Sequence, residues 1–494
     1  MFHRRALPGL LLTALPLAAA AQQSSSGGGR TTQPAQADGA ASPPRLAGAS
    51  ERALHRRAVE AVIWGMPAVN TDLMLQAGLQ AGGRPNEVIY WSRPVDWRNQ
   101  TLTPNPDALY FMIFFDTRDA GPLVIDVPPA DTGSFAANID DVWQTPLEDA
   151  GPFGADAGRG GKYLILPPGH PDAPPQGYIV LRPDANTGYA LFRADLPGRA
   201  DADIARAADY GRRLKVHPLS QAASPPPTRF TDAFGTMYDA TIPYDIRFFR
   251  ALDRVVQREP WLQRDRAMID PLRSIGIRKG GRFEPDAATQ AILEAAAREA
   301  HEWLDQRVEA GLAPRYFDGA HWFVPAAPEL LQAQPNNYAD PDTYPTDARA
   351  AVYSIGYIGI KRFGTAQFYL LTTKDKDGRA LDGGRSYRLR VPADAPVQQY
   401  WSATVYDRAT HALIRDMPRG SRASQDAALP RNADGSVDIV FGPAVPAGQE
   451  ANWIPTRAGG GFEVIFRLYG PTRPLFEKTW TLPDIEPMAG RATP

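Results

Sequence analysis

From Ser50 to about Gln80, Leu54, Ala58, Ala61, Val62, Met66, Val69, Leu73 and Ala77 recur at near-helical spacing. The spacing predicts a helix with Ser50 as N-cap, a weak point at Gly78 and a kink or break at Pro67. From Val88 to Tyr189 the pattern becomes short apolar runs divided by Pro and Gly: 88–91, 108–115, 122–127, 134–139, 162–166, 178–181 and 188–193. These runs predict seven antiparallel strands. Helical patterns return at 201–215 and 243–258, on either side of the breaker Ser224-Pro225-Pro226-Pro227. A stronger one covers 286–310, where Asp286 caps, Ile292, Ala296, Ala300, Trp303, Leu304 and Val308 form a stripe, and Gly311 stops it. After a loop rich in Pro, Asp and Asn (325–347), strands are predicted at 350–358, 366–373, 385–391, 397–406, 437–441, 450–454, 461–469 and 476–481. Asp377-Gly378 and Asp434-Gly435 are turns by residue type.

These patterns divide the chain into an N-terminal helix with a β-sandwich (50–200), a helical and loop connection (201–347) and a second β-sandwich (348–494). The fold class expected is β-rich α+β. Ahead of it, His3, Arg4 and Arg5 precede an apolar run from Ala6 to Leu17 and the small residues Ala18 to Ala21. That order is a secretory leader over 1–21 with a cut near Ala21, and it predicts a periplasmic or secreted protein. Residues 22–49, rich in Ser, Gly, Gln, Ala and Pro, read as a flexible tether. No later stretch offers 18 uninterrupted apolar residues, so no membrane insertion is expected after cleavage.

Composition changes the picture mainly by exclusion. Among 494 residues, 53 basic and 55 acidic side chains leave a formal charge of −2, so no global field recruits nucleic acid. The 48 prolines and 43 glycines favour many short strands and turns. Cysteine is absent, which removes thiolate catalysis, Cys-ligated zinc, iron–sulfur clusters and disulfides. The seven His residues stand singly, so neither a metal nor a cofactor is expected.

Familiar catalytic patterns fail. His301-Glu302 has Asp305 where a zinc-protease helix needs its second His. Gly158-Arg159-Gly160-Gly161-Lys162 has Asp156 at the first position of a phosphate loop and Tyr163 in place of Ser or Thr. No Gly-x-Ser-x-Gly elbow occurs. Asp375-Lys376-Asp377-Gly378 has Thr373 and Gly384 at the end positions of a calcium loop, which leaves it a turn.

What remains is aromatic and polar density in a few loops. Trp91 and Trp97 precede Thr103-Pro104-Asn105-Pro106-Asp107-Ala108-Leu109-Tyr110, where two prolines stiffen the chain around Asn105. Asp140-Asp141-Val142-Trp143 follows a strand, and only one of the two carboxylates shares a face with Trp143. A meeting of that carboxylate with Lys162 makes either an acid/base couple or a salt bridge.

The stretches TPNPDALY (103–110), GPLVIDVP (121–128), GKYLILPPG (161–169), HPLSQAASPPPTRF (217–230) and IGIRKGGRFEPD (275–286) resemble the domain of unknown function numbered 1254. YRLRVPADAPVQQYWSATVYD (387–407), NADGSVDIVFGP (432–443), NWIPT (452–456), RLYGP (467–471) and KTWTLPDIEPM (478–488) resemble its C-terminal partner, numbered 1214. The resemblance implies two jelly-roll-like antiparallel β-sandwich domains joined by a helical segment, and a homo-oligomer. It brings no established reaction and no catalytic residues.

Three functions follow. The first is binding of a small molecule or glycan, with Trp91, Trp97, Trp143, Trp401, Tyr406 and Trp453 as stacking surfaces, Asn105, Asp107 and Arg467 as polar anchors, and Tyr110 as a further candidate in the same pocket. The second is a metal-free hydrolase or lyase with Asp107 or Asp141 as base and Lys162 or Tyr110 as acid. The third is a structural or assembly protein whose aromatics are core. Solvent-reachable Asp107 and Trp143 in one pocket favour the first two, and burial of both favours the third. The first needs the fewest coincidences.

Overall fold

A computed structural model describes residues 48–488, except 172, 197, 357, 358, 363 and 365. The leader expected over 1–21 and the tether up to residue 47 lie outside the described residues.

The first helix runs unbroken over Ala49–Gln80. Its N-cap is Gly48, with no side-chain cap bond, so Ser50 does not take that role. Pro67 sits inside the helix without dividing it. The reason is packing: from Ala58 onward the helix is buried on nearly every side, against helices Ile246–Arg258, Ala287–Ala310 and Thr346–Ile355. Close approach also explains two glycines. A Cβ on Gly65 would strike Leu252 at 2.8 Å, and one on Gly78 would strike Ile89 at 2.6 Å. Gly78 is therefore a tight contact rather than a weak point.

Two sheets then face each other. One has the order Phe230–Asp232, Val88–Tyr90, Leu109–Asp116, Thr187–Ala194, Phe135–Asp141, Pro146–Ala150. The other has the order Lys215–Pro218, Leu123–Val127, Gly161–Ile165, Ile179–Leu181. All seven predicted strands are present, but the pairing is not wholly antiparallel. Val88–Tyr90 with Phe230–Asp232, and Gly161–Ile165 with Ile179–Leu181, are parallel pairs at sheet edges. Strands 146–150, 215–218 and 230–232 were not predicted. The first two contain Pro146 and Pro218, which read as breakers and are tolerated at edges.

Helix Ala287–Ala310 forms as its stripe predicts, and the Asp286 carboxylate accepts from the Thr289 N–H at 2.8 Å. The second sandwich pairs Gln367–Thr372, Phe462–Tyr469, Trp401–Asp407 and Ser421–Ala423 with a sheet of Trp453–Pro455, Val437–Gly442, Tyr387–Val391 and Glu486–Pro487. Two strand predictions fail here. Residues 350–358 were expected extended, yet Thr346–Ile355 is a helix ended by Gly356 at φ 112. Residues 348–355 are buried on every side, Arg349 and Ser354 included, so the segment carries no period to separate helix from strand. Residues 476–481 follow the short helix Arg473–Phe476 and form no strand. The molecule is thus α+β and β-rich, built on sandwich-like sheets with no closed barrel. No helix among the described residues is long and apolar enough to cross a membrane.

Each sandwich has one sheet buried on both faces. Along Thr187–Ala194, Ala190, Phe192 and Ala194 enter the first sandwich core, whereas Tyr189 and Leu191 join the helical core. Arg193 shares the parity of Tyr189 and Leu191. Along Phe462–Tyr469, Phe462, Val464, Phe466 and Leu468 fill the second sandwich, leaving Glu463, Ile465, Arg467 and Tyr469 on the opposite face.

Candidate functional site

Strand register brings an arginine and a tyrosine together twice. Arg193 lies opposite Tyr110 in the first sandwich, and Arg467 lies opposite Tyr369 in the second. All four side chains line one cavity, together with Asn105, and with Ile355 and Gly356 from the end of the Thr346–Ile355 helix. A second cavity shares Thr103, Tyr110, Arg193 and Gly356 in its wall and continues toward Asn70, Gln144 and Tyr189.

The loop ahead of Tyr110 is stiff as its prolines predict, and it holds the polar groups in place. Thr103 adopts φ 42, its N–H donates to the His411 carbonyl at 2.6 Å and its hydroxyl donates to the Ile355 carbonyl at 3.1 Å. The Asn105 N–H donates to the Tyr110 hydroxyl at 2.6 Å. Its amide nitrogen donates to the hydroxyls of Tyr469, at 2.8 Å, and Tyr400, at 3.2 Å. The Tyr406 hydroxyl donates to the Pro104 carbonyl at 2.7 Å, so Tyr406 supports the loop from behind.

Both arginines are nearly sealed, Arg193 at 6% and Arg467 at 2% exposure. Arg467 donates to the Thr404 hydroxyl at 3.1 Å and the Thr103 carbonyl at 2.8 Å, and its guanidinium lies 5.0 Å from the Tyr369 ring centroid. Its Nε has no hydrogen-bond partner. Arg193 donates to Asn138 Oδ1 at 2.9 Å. Burial works against both charges, and the oxygens of nearby tyrosines more than offset it, leaving each pKa above the ordinary arginine value. Tyr369, Tyr110 and Tyr469 act on both. Among the described residues, no carboxylate lies at salt-bridge distance from either guanidinium.

The remaining predicted residues sit elsewhere. Asp107 is buried and lines neither cavity. Its carboxylate accepts from Ser421 Oγ at 2.9 Å and pairs with Arg199, which also reaches Asp426 at 2.9 Å. Asp141 turns back on its own chain, accepting from the N–H groups of Trp143 and Thr145, both at 2.9 Å. Burial pushes its pKa up, against Arg264 and the Thr145 bond. Lys162 is exposed on another sheet, in register with Asp126, so the expected Asp141–Lys162 couple does not form. Trp143 is packed at 4.7 Å on Trp64. Trp91 packs at 5.0 Å on Tyr238 in the helical core, and Trp401 stacks at 5.5 Å on Phe466 in the second sandwich. Trp453 is half-buried and bonds the Gly442 carbonyl at 2.9 Å. Asp107 and Trp143 are both buried, in separate places, an outcome that favours the structural or assembly reading and leaves a binding reading to rest on other residues.

Asn105, Tyr110 and Arg467 therefore meet as a cluster, while Arg193 and Tyr369 escaped prediction. The signal for Arg193 was a charge in the otherwise apolar run Tyr189–Ala194, at the parity of Tyr189 and Leu191. A larger hollow lies between Ser134 and Asp195 of the first sandwich and Gln399 and Tyr400 of the second. Its Asp131 and Asp203 are already paired with Arg213 and Arg206. Among the described residues no group of three His, Asp or Glu is placed to hold a metal.

No curated protein matches the chain. Among solved structures, the VPA0106 protein from Vibrio parahaemolyticus is similar over 88% of this chain and 100% of its own, at 17% identity and a TM-score of 0.54, a likeness of fold. An uncharacterised protein from Burkholderia cenocepacia matches over 89% of this chain and 95% of its own, at 13% identity and a TM-score of 0.39. Residues 85–218 match the family model described as protein of unknown function DUF1254, and 366–473 match that of protein of unknown function DUF1214, so these two stretches are similar to those two domains, in that order.

Proposed function

We propose that the protein binds a small molecule in the cavity between its two sandwiches. The observation that carries this reading is the convergence of Asn105, Tyr110 and Arg193 from the first sandwich with Tyr369 and Arg467 from the second on one space. A few convergent polar groups on a partly apolar wall are what a small-ligand site offers. A small molecule is favoured over a glycan chain, because Trp91, Trp143 and Trp401 are packed inside cores and offer no stacking surface. The acid/base alternative loses its carboxylates, since neither Asp107 nor Asp141 lines the cavity. The basic, apolar and alanine order of residues 1–21 supports action outside the cytoplasm.

Calorimetric titration of the full chain against small metabolites and short oligosaccharides tests the reading. The expected result is a small molecule bound below millimolar, weakened by Tyr369→Phe while the melting temperature hardly moves. No binding below millimolar by any compound would sink the proposal.

A further inference from the structure

Two guanidinium groups line the cavity without a carboxylate partner, and this bears on what the cavity accepts. A buried cation that lacks a counter-ion is costly, and proteins normally pair it. The neighbours available here are neutral: tyrosine and threonine hydroxyls, the Thr103 carbonyl and the Asn138 amide oxygen. Burial pushes the Tyr406 and Tyr469 phenols up, so they remain neutral dipoles and not counter-ions. Asp140 faces the same side of its sheet as Asn138, and Arg193 favours its charged form from a distance, without an ion pair or hydrogen bond between the two. Asp140 is completely buried, neither of its oxygens has a hydrogen-bond partner, and burial beside Asp149 and Asp141 favours its neutral form. The protein supplies positive charge at the cavity and leaves the matching negative charge to come from elsewhere.

The donors also select among anions. A phosphate typically relies on free backbone N–H groups as well as cations. The wall amides that could serve are already used: Thr103 N–H bonds the His411 carbonyl, Asn105 N–H bonds the Tyr110 hydroxyl and Gly356 N–H bonds the Val352 carbonyl. Residue 104 is a proline and has no N–H. What remains is the planar arginine fork, which matches a carboxylate. Pro325, Ile355, Ile360 and Ile465 complete the wall with apolar surface suited to a short carbon body.

We propose that the ligand is a small organic acid, its carboxylate received by Arg467 and Arg193 and its carbon body resting on Ile355, Ile360 and Ile465. This rests on the small-molecule reading above and narrows it to one chemical class.

The test uses matched pairs on the full chain: benzoate with benzamide, and butyrate with butyramide, plus inorganic phosphate, by calorimetry at constant ionic strength. The acids should bind about tenfold or more tightly than their amides, a difference of about 1.4 kcal/mol. Arg467→Gln should erase that preference, and Arg467→Lys, which keeps the charge but loses the fork, should restore only part of it. If Arg467→Gln does not fold, the comparison of acid with amide on the unaltered protein decides alone. Amides binding as well as acids would overturn the carboxylate assignment and leave the cavity reading standing, as would phosphate binding more tightly than either acid. Failure of every acid, every amide and every compound of the wider library to bind would remove both.

Discussion

The two faces of the same strands obey different rules. On one face Phe462, Val464, Phe466 and Leu468 enter a core with no charged group, as Ala190, Phe192 and Ala194 do in the first sandwich. One residue along, the other face carries Glu463 and Arg467, or Tyr189 and Arg193, just as deeply buried. Each sandwich interior is closed within one segment of sequence and needs only shape and apolar area. The seam is assembled from segments some 360 residues apart in sequence, such as Asn105 and Tyr469, and it is held by hydroxyls, amides and guanidinium groups. Stability resides mainly in the first kind of surface, and selectivity toward a ligand in the second.

Phe466 tests the first half of the comparison and should give the largest effect. It is fully buried between Trp401 at 5.5 Å and Trp480 at 6.3 Å. Phe466→Ala should lower unfolding free energy by roughly 3–5 kcal/mol in urea titrations, without changing the preference of the folded fraction for any ligand. A loss below about 1 kcal/mol would mean that this core relaxes freely and that the division between the faces is wrong.

Asp107 lies between the two kinds of surface. It ties the Asn105 loop to Ser421 and Arg199 but does not reach the cavity. Asp107→Asn should cost about 1–3 kcal/mol, because Arg199 loses one of its two charged partners and keeps only Asp426, and should leave binding affinity nearly unchanged. Lost binding in a variant of unaltered melting temperature would return Asp107 to the site.

The sequence made the sandwich faces legible and hid the seam, for a physical reason. Strands such as 109–116 and 462–469 stand out because apolar and β-branched residues cluster between turns, which depends only on neighbours in sequence. The cap at Asp286 is equally local. The helix at 346–355 was missed because burial on every side removes its period. Trp91, Trp143 and Trp401 were read as binding surfaces because each follows or precedes polar residues, and the packing that buries them comes from distant segments. Arg193 was passed over for the same reason. A single arginine near a strand end normally extends its charge into water, and only the second sandwich closes that route.

The smallest expected effect is the sharpest for the seam, because it asks whether the cavity's charge is already balanced from within. Asp140 lies on the seam face, with burial, Asp149 and Asp141 raising its pKa well above the ordinary carboxylate value while Arg193 and Arg349 lower it. In the unfolded chain it loses its proton near the usual pKa of about 4, whereas the folded protein retains the proton well above that. The folded state therefore binds more protons across this window, so the Asp140 contribution to stability falls as pH rises from about 4 toward its folded pKa. Asp140→Asn keeps the shape and removes the ionisation. Urea midpoints at about pH 4 should match those of the unaltered protein, and at about pH 8 the variant should be ahead by roughly 1 kcal/mol. The opposite sign at high pH, with the variant weaker, would show that Asp140 is ionised and serves as counter-ion to Arg193 or Arg349. The seam would then be neutral by itself, and the main reason for its arginines to seek an external carboxylate would disappear.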